Sequence, residues 1–329
     1  MVIILHASAK GFYGRFEASS SEFQACNFFN GIVRPAEPLF VMMSGMFLLD
    51  ERREYPIRKL YFVKILRIAV AYLAWAVFYS AGTQFHAYRG IHLRQFVFDI
   101  IGGHYHMWFL YMISGLYVAT PILRWISRDD KICRYFIALG FVSVFVCNCI
   151  ESIPVLRVIP RDIIGRLDLK IVAGFSTYYL LGHYLTTHKP CVVYRRWIYA
   201  LGGISVLTTV VFNGWYSAYT GHVRTYVFNN LWANTFFWAV VIFVFFQENL
   251  SRIDFSPRMR KWISRIARLS FGMYLVHAFL LDHLYWIALP HFFVHPVFAI
   301  PVTAMVTFAL SFFTAYVIDQ IPWIRKWVI

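Results

Sequence analysis

The sequence predicts an all-α membrane protein, a polytopic helical bundle of about ten transmembrane helices with the first one truncated. Of its 329 residues, 60% are apolar and 20% aromatic, only 14% are charged, and the mean hydropathy is +0.58. Soluble proteins carry roughly 25% charged residues. Here the charges fall in short clusters between apolar stretches about long enough to cross ~30 Å of hydrocarbon as helix. This pattern excludes a secreted globular protein and a disordered tail.

Nine stretches of about 18 to 22 mostly apolar residues are predicted to be full spans. They are residues 32–49, 60–82, 105–123, 132–150, 168–187, 197–214, 230–247, 269–288 and 297–318. Residues 1–9 are also apolar, but a helix of that length covers only about 14 Å. We therefore expect a truncated tenth helix there, with further residues upstream of Met1. No linker divides the chain, so residues 1–329 are predicted to form one integral-membrane domain.

The positive charges predict how these spans are oriented. The 31 Lys and Arg residues outnumber the 16 Asp and Glu residues, but they are scattered through loops, so no nucleic-acid partner is predicted. Roughly two thirds of the cations lie on alternate connections, and cations in short loops favour the cytoplasmic side. We expect the loop after Ala9 to be outside and the C-terminus to be in the cytoplasm.

His6 is the first candidate for chemistry, because ionisable groups inside membrane spans are costly and so are often functional. It lies in the sequence MVIILHASA, where apolar neighbours favour a neutral imidazole. A neutral imidazole in an apolar bundle can act as a general base near pH 7. The alternative is a hydrogen-bonded core histidine with no catalytic role.

Lys64 and Arg67 form a cationic pair at the inner start of the span 60–82. They are three residues apart, so a regular helix would place them on one face, where they could hold phosphates that enter from the cytoplasm. The alternative is an ordinary pair of anchors that extend to the membrane interface.

The polar residues of other spans are also candidates for function, and each could instead have a purely structural role. His106, in YHMWFLYM, could belong to an interfacial aromatic belt. His277 lies deeper, with Tyr274 three residues before it, and could tie helices together instead of taking part in catalysis. Arg34 and Glu37 could pair with each other. The five cysteines form no metal-ligand pattern, and no metal site is predicted.

Five segments of the chain occur in a recognisable order. They are LHAS, RPAEPLFVMMSGMFLL, KILRIAVAYLAWAVFYS, YHMWFLYMISGLYVATPILR and ISRIARLSFGMYLVHAFLL. In their order and spacing the chain resembles the acyltransferase 3 family of integral membrane acyltransferases over nearly its whole length. Within that family it looks most like the O-acetyltransferases of surface polysaccharides.

This resemblance implies a ten-helix bundle in a bacterial inner membrane. Such a protein takes acetyl from cytoplasmic acetyl-CoA and places it on a hydroxyl of a lipid-linked or polymeric glycan. Its partners would be acetyl-CoA, the glycan acceptor and the lipid bilayer. Acetyl-CoA would be a co-substrate, and no cofactor is expected.

The resemblance also implies roles for individual residues. His6 takes the place of a first-helix histidine thought to be essential, whereas a family arginine about three turns earlier would fall upstream of Met1. Lys64 and Arg67 take the place of two arginines proposed to hold the acyl donor, with lysine in the first position. The remaining matches are Arg34 with a family arginine, His106 and Trp108 with an aromatic HxW segment, and His277 with a late histidine. The candidate donors to the oxyanion are Ser44, Tyr274 and His277.

Two other interpretations stay open from the sequence. A non-enzymatic transporter or binding protein would use the same polar residues to line a path, and it would move solute without consuming acetyl-CoA. An enzyme of the same kind could instead acylate a protein or a small antibiotic, because nothing in these residues identifies the acceptor.

Overall fold

A computed structural model of the protein describes residues 1–9, 16–88, 90, 92–151, 174–250, 252–286 and 295–328. Helices account for 84% of these residues, and no β-strand occurs among them. The prediction of an all-α fold is confirmed.

Sixteen α-helices occur in the described part of the chain. In chain order they are α1 (Val2–Ala9), α2 (Ser21–Val33), α3 (Ala36–Leu48), α4 (Ile57–Lys59), α5 (Leu66–Tyr88), α6 (Leu93–Gly102), α7 (Trp108–Arg128), α8 (Asp130–Gly140), α9 (Cys147–Glu151), α10 (Gly174–Thr187), α11 (Val192–Leu207), α12 (Asn213–Thr220), α13 (Ala233–Leu250), α14 (Pro257–Trp286), α15 (Pro296–Asp319) and α16 (Pro322–Val328). Three π-helical turns join consecutive helices into longer ones: Leu60–Ile65 joins α4 to α5, Phe141–Val146 joins α8 to α9, and Thr208–Phe212 joins α11 to α12.

Six helical stretches are long and apolar enough to cross a membrane. They are Ile57–Phe85, Trp108–Arg128, Asp130–Glu151, Val192–Thr220, Tyr226–Leu250 and Pro296–Asp319. Each contains or largely overlaps one of the predicted spans, because a run of about 20 apolar residues fixes both the helix and its length. The chain is a multi-pass membrane protein, and the number of ten helices stays a prediction.

The other three predicted spans have a different outcome. Span 168–187 begins outside the described residues and continues as α10. Span 269–288 forms the second half of the 30-residue helix α14, whose first half is rich in arginine, and its last two residues lie outside the described ranges. Span 32–49 is not one helix, because the chain breaks between α2 and α3.

The break between α2 and α3 falls at Arg34 and Pro35. Proline has no backbone N–H and its ring opposes a continuous helix, so α3 starts afresh after Pro35. The Arg34 amide donates to the Gly31 carbonyl in a tighter terminal turn, with the two atoms 3.4 Å apart. Helix α2 starts earlier than the hydropathy predicts, at Ser21, where the Ser20 hydroxyl caps it by accepting from the Phe23 amide.

The described chain forms two compact units. Unit 1 consists of Met1–Glu54, Ala119–Asp254 and His295–Ile300, and unit 2 of Tyr55–Val118, Phe255–Val294 and Pro301–Ile329. The single domain expected from the sequence stays a prediction.

In unit 1, helices α3 and α10 cross with their backbones in contact. A Cβ atom at Gly45 would overlap the backbone carbonyl of Tyr179, and a Cβ atom at Gly182 would overlap that of Met42. Small residues at such a crossing let two helices approach closely, which is a main source of helix association in membranes. We call this contact the α3–α10 crossing.

In unit 2, helices α5 and α14 share an aromatic core. Tyr72, Trp75 and Tyr79 of α5 are buried together with residues of α14, among them Leu275. The Tyr79 hydroxyl donates to the Leu275 carbonyl (2.8 Å) and accepts from the Phe279 amide (3.1 Å). A regular α-helix pairs these two backbone groups with each other. Tyr79 therefore fixes α5 against the turn of α14 that contains His277.

Candidate functional site

His6 lies half-buried on α1 in unit 1, on a turn that α2 holds through Asn30. The Asn30 amide nitrogen donates to the Leu5 carbonyl (3.0 Å) and to the Ser8 hydroxyl oxygen (2.8 Å), and Ser8 in turn donates to Leu5 (3.0 Å). Asn30 and Ser8 are both fully buried. These bonds fix the turn that carries His6.

Arg34 is connected to the same turn through Asn30. Its Nε donates to the Asn30 side-chain oxygen (2.7 Å), as does its Nη2, and its Nη1 donates to the Phe228 carbonyl (2.9 Å). The guanidinium carbon lies 4.8 Å from the centre of the Phe228 ring. The Asn30 nitrogen thus donates to α1, and the Asn30 oxygen accepts from Arg34. Only one orientation of the Asn30 amide satisfies both sets of bonds. These bonds hold Arg34 from Asn30 and from the Phe228 backbone, and its pairing with Glu37 stays a prediction.

Arg34 also lines a cavity of about 400 Å³ in unit 1. The other lining residues include Ala9, Tyr226, Phe228, Asn229 and Trp232. This volume falls within the usual range for small-molecule sites, and the lining combines aromatic rings with an oriented cation. The cavity lies at the end of α1, which the charge distribution predicts to be outside.

Ser44 lies half-buried on α3, next to Gly45 of the α3–α10 crossing. The helix from Ala36 to Ser44 covers about 12 Å, at 1.5 Å per residue. The structure therefore separates Ser44 from Arg34 along the axis of α3, and its suggested role at the oxyanion stays a prediction.

We expect replacement of Asn30 by leucine to lower the free energy of unfolding by about 2 kcal/mol, because buried polar groups of α1 and the Arg34 guanidinium lose a hydrogen-bond partner. Thermal unfolding of the purified protein in lipid nanodiscs measures the change. The matched control is Asn249→Leu, since Asn249 is only half-buried near the end of α13 and its side-chain nitrogen donates to the Phe245 carbonyl of the same helix. The control should change stability by no more than about 0.5 kcal/mol. Equal effects of the two substitutions would contradict the role given to Asn30.

The second group of predicted residues lies in unit 2, where His106 and His277 meet. Both side chains are buried, with 1% and 0% of their surface exposed, and their ring centres are 5.1 Å apart. The Tyr274 hydroxyl donates to the His106 carbonyl, and His277 Nδ1 contacts the Tyr274 carbonyl. The structure thus brings together His106, Tyr274 and His277. His106 is a core residue and not part of an interfacial belt.

Three residues that the sequence analysis did not place in the site complete this cluster. His104 Nδ1 lies 3.0 Å from His106 Nδ1, and His104 Nε2 lies 3.6 Å from a carboxylate oxygen of Asp282. The Tyr79 ring stacks on His104 with the ring centres 4.2 Å apart. Because one hydrogen atom serves the two Nδ1 atoms, the protonation of His104 determines which nitrogen of His106 carries a proton.

Trp108 is 40% exposed, and its ring lies edge-to-face with the Phe109 ring, with the ring centres 6.2 Å apart. This exposure favours a membrane-facing aromatic residue over a group that touches substrate.

Lys64 and Arg67 have different neighbours in unit 2. Lys64 belongs to the π-helical turn Leu60–Ile65, and its Nζ lies 5.4 Å from the centre of the Tyr55 ring. Arg67 belongs to α5, and its guanidinium carbon lies 5.8 Å from the centre of the Phe271 ring. The π turn that contains Lys64 changes the angle between side chains three residues apart, and a shared role of Lys64 and Arg67 in holding phosphates stays a prediction.

Arg67 lines an open cavity of about 680 Å³ in unit 2, which we call the arginine cavity. Two more arginines line it, Arg268 of α14 and Arg325 of α16, along with Asp319, Phe62 and Trp327. Arg268 forms an ion pair with Asp319 at 2.9 Å. All three arginines belong to segments predicted to face the cytoplasm.

The site residues not predicted from the sequence differ in whether a sequence signal for them exists. Asn30 precedes Arg34 by four residues, a spacing that joins side chains on one helix face. In the sequence, Arg268 and Arg325 act as topology signals, and nothing in their local sequence indicates a shared cavity. Within the described ranges, no group of three His, Cys, Asp or Glu side chains is arranged to hold a metal ion.

The fold and these two groups of polar residues define a class: a multi-pass helical membrane protein with buried histidines and an arginine-lined cavity. The family model for the acyltransferase domain, acyltransferase 3, matches residues 1–316. The chain belongs to this family of membrane acyltransferases. No curated protein and no solved structure matches the chain.

Proposed function

We propose that the protein is an O-acetyltransferase of the bacterial inner membrane that transfers acetyl from cytoplasmic acetyl-CoA to a hydroxyl of a cell-surface polysaccharide or a lipid-linked sugar. The observation that carries the donor side is the arginine cavity, where Arg67 lies among cations on the predicted cytoplasmic side. Family membership supports an enzyme over a transporter or binding protein. As the particular member of this class we propose the O-acetyltransferase that modifies enterobacterial common antigen, which the sequence resembles.

In this proposal His6 removes the proton from the sugar hydroxyl as the hydroxyl oxygen attacks the thioester carbonyl. The new carbon–oxygen bond forms, the carbon–sulfur bond breaks, and the thiolate of CoA leaves and takes up the proton. The other route is a covalent acetyl-histidine that the sugar hydroxyl then attacks. Lys64 and Arg67 are the proposed holders of the donor phosphates, and a role for Tyr274 or His277 at the oxyanion stays a prediction.

The acceptor side of the proposal is supported by the cavity of about 400 Å³ in unit 1. Aromatic rings such as those of Tyr226 and Trp232 offer flat apolar surfaces with a polar edge, which suits the mixed faces of a sugar. Arg34 is held in place by Asn30 and the Phe228 carbonyl and adds an oriented cation to the lining. These features favour a glycan over a protein side chain or a small antibiotic.

The proposal is tested with purified protein in sealed vesicles given acetyl-CoA labelled in the acetyl group. We expect label on an added polyprenyl-linked glycan, and one free CoA released for each acetyl transferred. Vesicles without protein are the control for chemical transfer. Label on an added peptide or an aminoglycoside, with none on glycan, would contradict the acceptor. Solute uptake without CoA release would contradict the enzyme.

A further inference from the structure

We infer that the arginine cavity binds the 3′-phosphorylated ADP part of acyl-CoA, and that Arg268 and Arg325 are donor-binding residues alongside Arg67. This inference rests on the proposed function, because it takes acyl-CoA as the donor. It assigns the site to three helices, α5, α14 and α16, of which the sequence comparison pointed only to the first.

The charges of the cavity favour an anion. Three guanidinium groups share it with one carboxylate, that of Asp319, which is engaged by Arg268. Gathering like charges around one space raises the energy of the empty protein and lowers that of a bound anion. A phosphate monoester carries roughly two negative charges at neutral pH, and arginine can bind its oxygens through two parallel hydrogen bonds.

The arginines of α14 differ in a way that supports this assignment. Arg265, one turn before Arg268, has its guanidinium carbon 5.6 Å from the Trp262 ring centre and 5.4 Å from that of Tyr316. Arg265 thus packs on aromatic rings, whereas Arg268 lines the cavity with 59% of its side chain exposed. An exposed, ion-paired guanidinium keeps donors on the side away from its carboxylate, and these donors can reach a phosphate.

The size and the aromatic lining favour a nucleotide over inorganic phosphate. A volume of about 680 Å³ is within the range of sites that hold small organic ligands, and is far larger than one phosphate ion. Phe62 and Trp327 also line the cavity. The flat faces of aromatic side chains can stack on a purine ring. They therefore suit an adenine that lies next to a phosphate-binding cluster.

Part of this site lies outside the residues shared with the family. The family model matches residues 1–316, whereas Asp319, Arg325 and Trp327 follow that range. The structure therefore adds residues to the donor site that the family comparison does not supply.

The test measures binding of adenosine 3′,5′-bisphosphate, CoA and 3′-dephospho-CoA by calorimetry, with the full chain in phosphatidylcholine nanodiscs. We expect wild-type protein to bind CoA more tightly than dephospho-CoA. Arg268→Gln and Arg325→Gln should each weaken binding of the bisphosphate about ten-fold and remove the preference for CoA. Arg258→Gln is the matched control, since Arg258 is exposed on the same helix and is not among the described residues that line the cavity.

For a third variant we expect the affinity for the bisphosphate to change in the opposite direction. Asp319→Asn removes the negative charge from the cavity but keeps an oxygen that Arg268 can contact, so it should tighten binding of the bisphosphate several-fold. A purely structural role of the Arg268–Asp319 pair predicts weaker binding instead. Thermal unfolding of each variant shows whether it is folded, and Arg325→Gln breaks no ion pair found in the described structure.

The outcomes separate this inference from the proposed function. Acetyl transfer together with a CoA preference that survives Arg268→Gln and Arg325→Gln would overturn the inference alone. Bisphosphate binding that depends on both arginines, in a protein that transfers no acetyl, would support the site and contradict the proposed function. The same phosphate chemistry occurs in lipid headgroups. Arginine-dependent binding of phosphatidylglycerol, with no binding of the bisphosphate in phosphatidylcholine, would overturn the inference in favour of a lipid site.

Discussion

Replacement of His6 by alanine should lower acetyl transfer by about 10²- to 10⁴-fold, the usual contribution of a positioned general acid–base group. The expected loss is in turnover, with little change in the affinity for acetyl-CoA, because the proposed donor cations are other residues. The assay measures the transfer of labelled acetyl from saturating acetyl-CoA to glycan by protein in sealed vesicles.

The matched control for His6 is His188→Ala. His188 is an exposed histidine of unit 1 whose Nε2 lies 3.0 Å from a carboxylate oxygen of Asp130, and it has no proposed role in transfer. Its replacement should leave turnover unchanged, and unfolding curves for both variants show whether the fold persists. Turnover that persists in folded His6→Ala protein would remove His6 from the mechanism.

The same variant distinguishes the two proposed chemical routes. Wild-type protein mixed with labelled acetyl-CoA in the absence of glycan should retain label after rapid quenching only if an acetyl-histidine forms. In that case His6→Ala protein retains none. General-base catalysis predicts no retained label in either protein, because acetyl leaves CoA only when a hydroxyl attacks.

Alanine at Gly45 or at Gly182 should lower the free energy of unfolding by about 3 kcal/mol or more, because each added methyl group overlaps a backbone carbonyl of the facing helix. Backbone atoms cannot move aside as a side chain can, so α3 and α10 must separate. Alanine is favoured over glycine inside a helix by only about 0.5–1 kcal/mol, which is too little to compensate. Thermal unfolding and the yield of monodisperse protein after extraction measure the effect.

Gly203→Ala is the control for the α3–α10 crossing. Gly203 also lies inside a helix of unit 1, but nothing lies within 4 Å of an added Cβ atom there. Its replacement should be neutral or should stabilise the protein by up to about 1 kcal/mol. Equal losses of stability at Gly45 and Gly203 would show that the methyl group acts through the helix itself and not through the crossing.

The parts of the fold that depend on composition could be predicted from the sequence. Long apolar runs such as 60–82 and 297–318 form helices close to where hydropathy places them, because burial in lipid leaves the backbone few alternatives. Almost all of helix α2 lies outside the predicted span 32–49, because asparagines such as Asn27 and Asn30 lower the local hydropathy. Both side chains are buried, and their amides bond to other helical segments. Polar residues that are satisfied by tertiary contacts look like loop residues in a hydropathy profile.

The candidate sites show a similar limit. His106 and His277 each lie in a segment recognised in the sequence, but nothing in those segments predicts that the two side chains meet, since they are far apart in the chain. Asp282 lies five residues beyond His277, and no spacing in the sequence connects it with His104, which reaches it from the loop before α7. Charges such as Arg268 and Arg325 have a dual use, since a cation at the cytoplasmic interface can orient a span and line a cavity.

The three π-helical turns also determine where this protein can change its length. An i→i+5 hydrogen bond encloses one residue more than the i→i+4 bond of an α-helix. Deleting one residue from Thr208–Phe212 would let that segment close as ordinary α-helix and keep the faces of α11 and α12 in their present phase. A deletion elsewhere in the same helix would rotate every following residue by about 100°. Insertions and deletions in related chains should therefore concentrate at Leu60–Ile65, Phe141–Val146 and Thr208–Phe212.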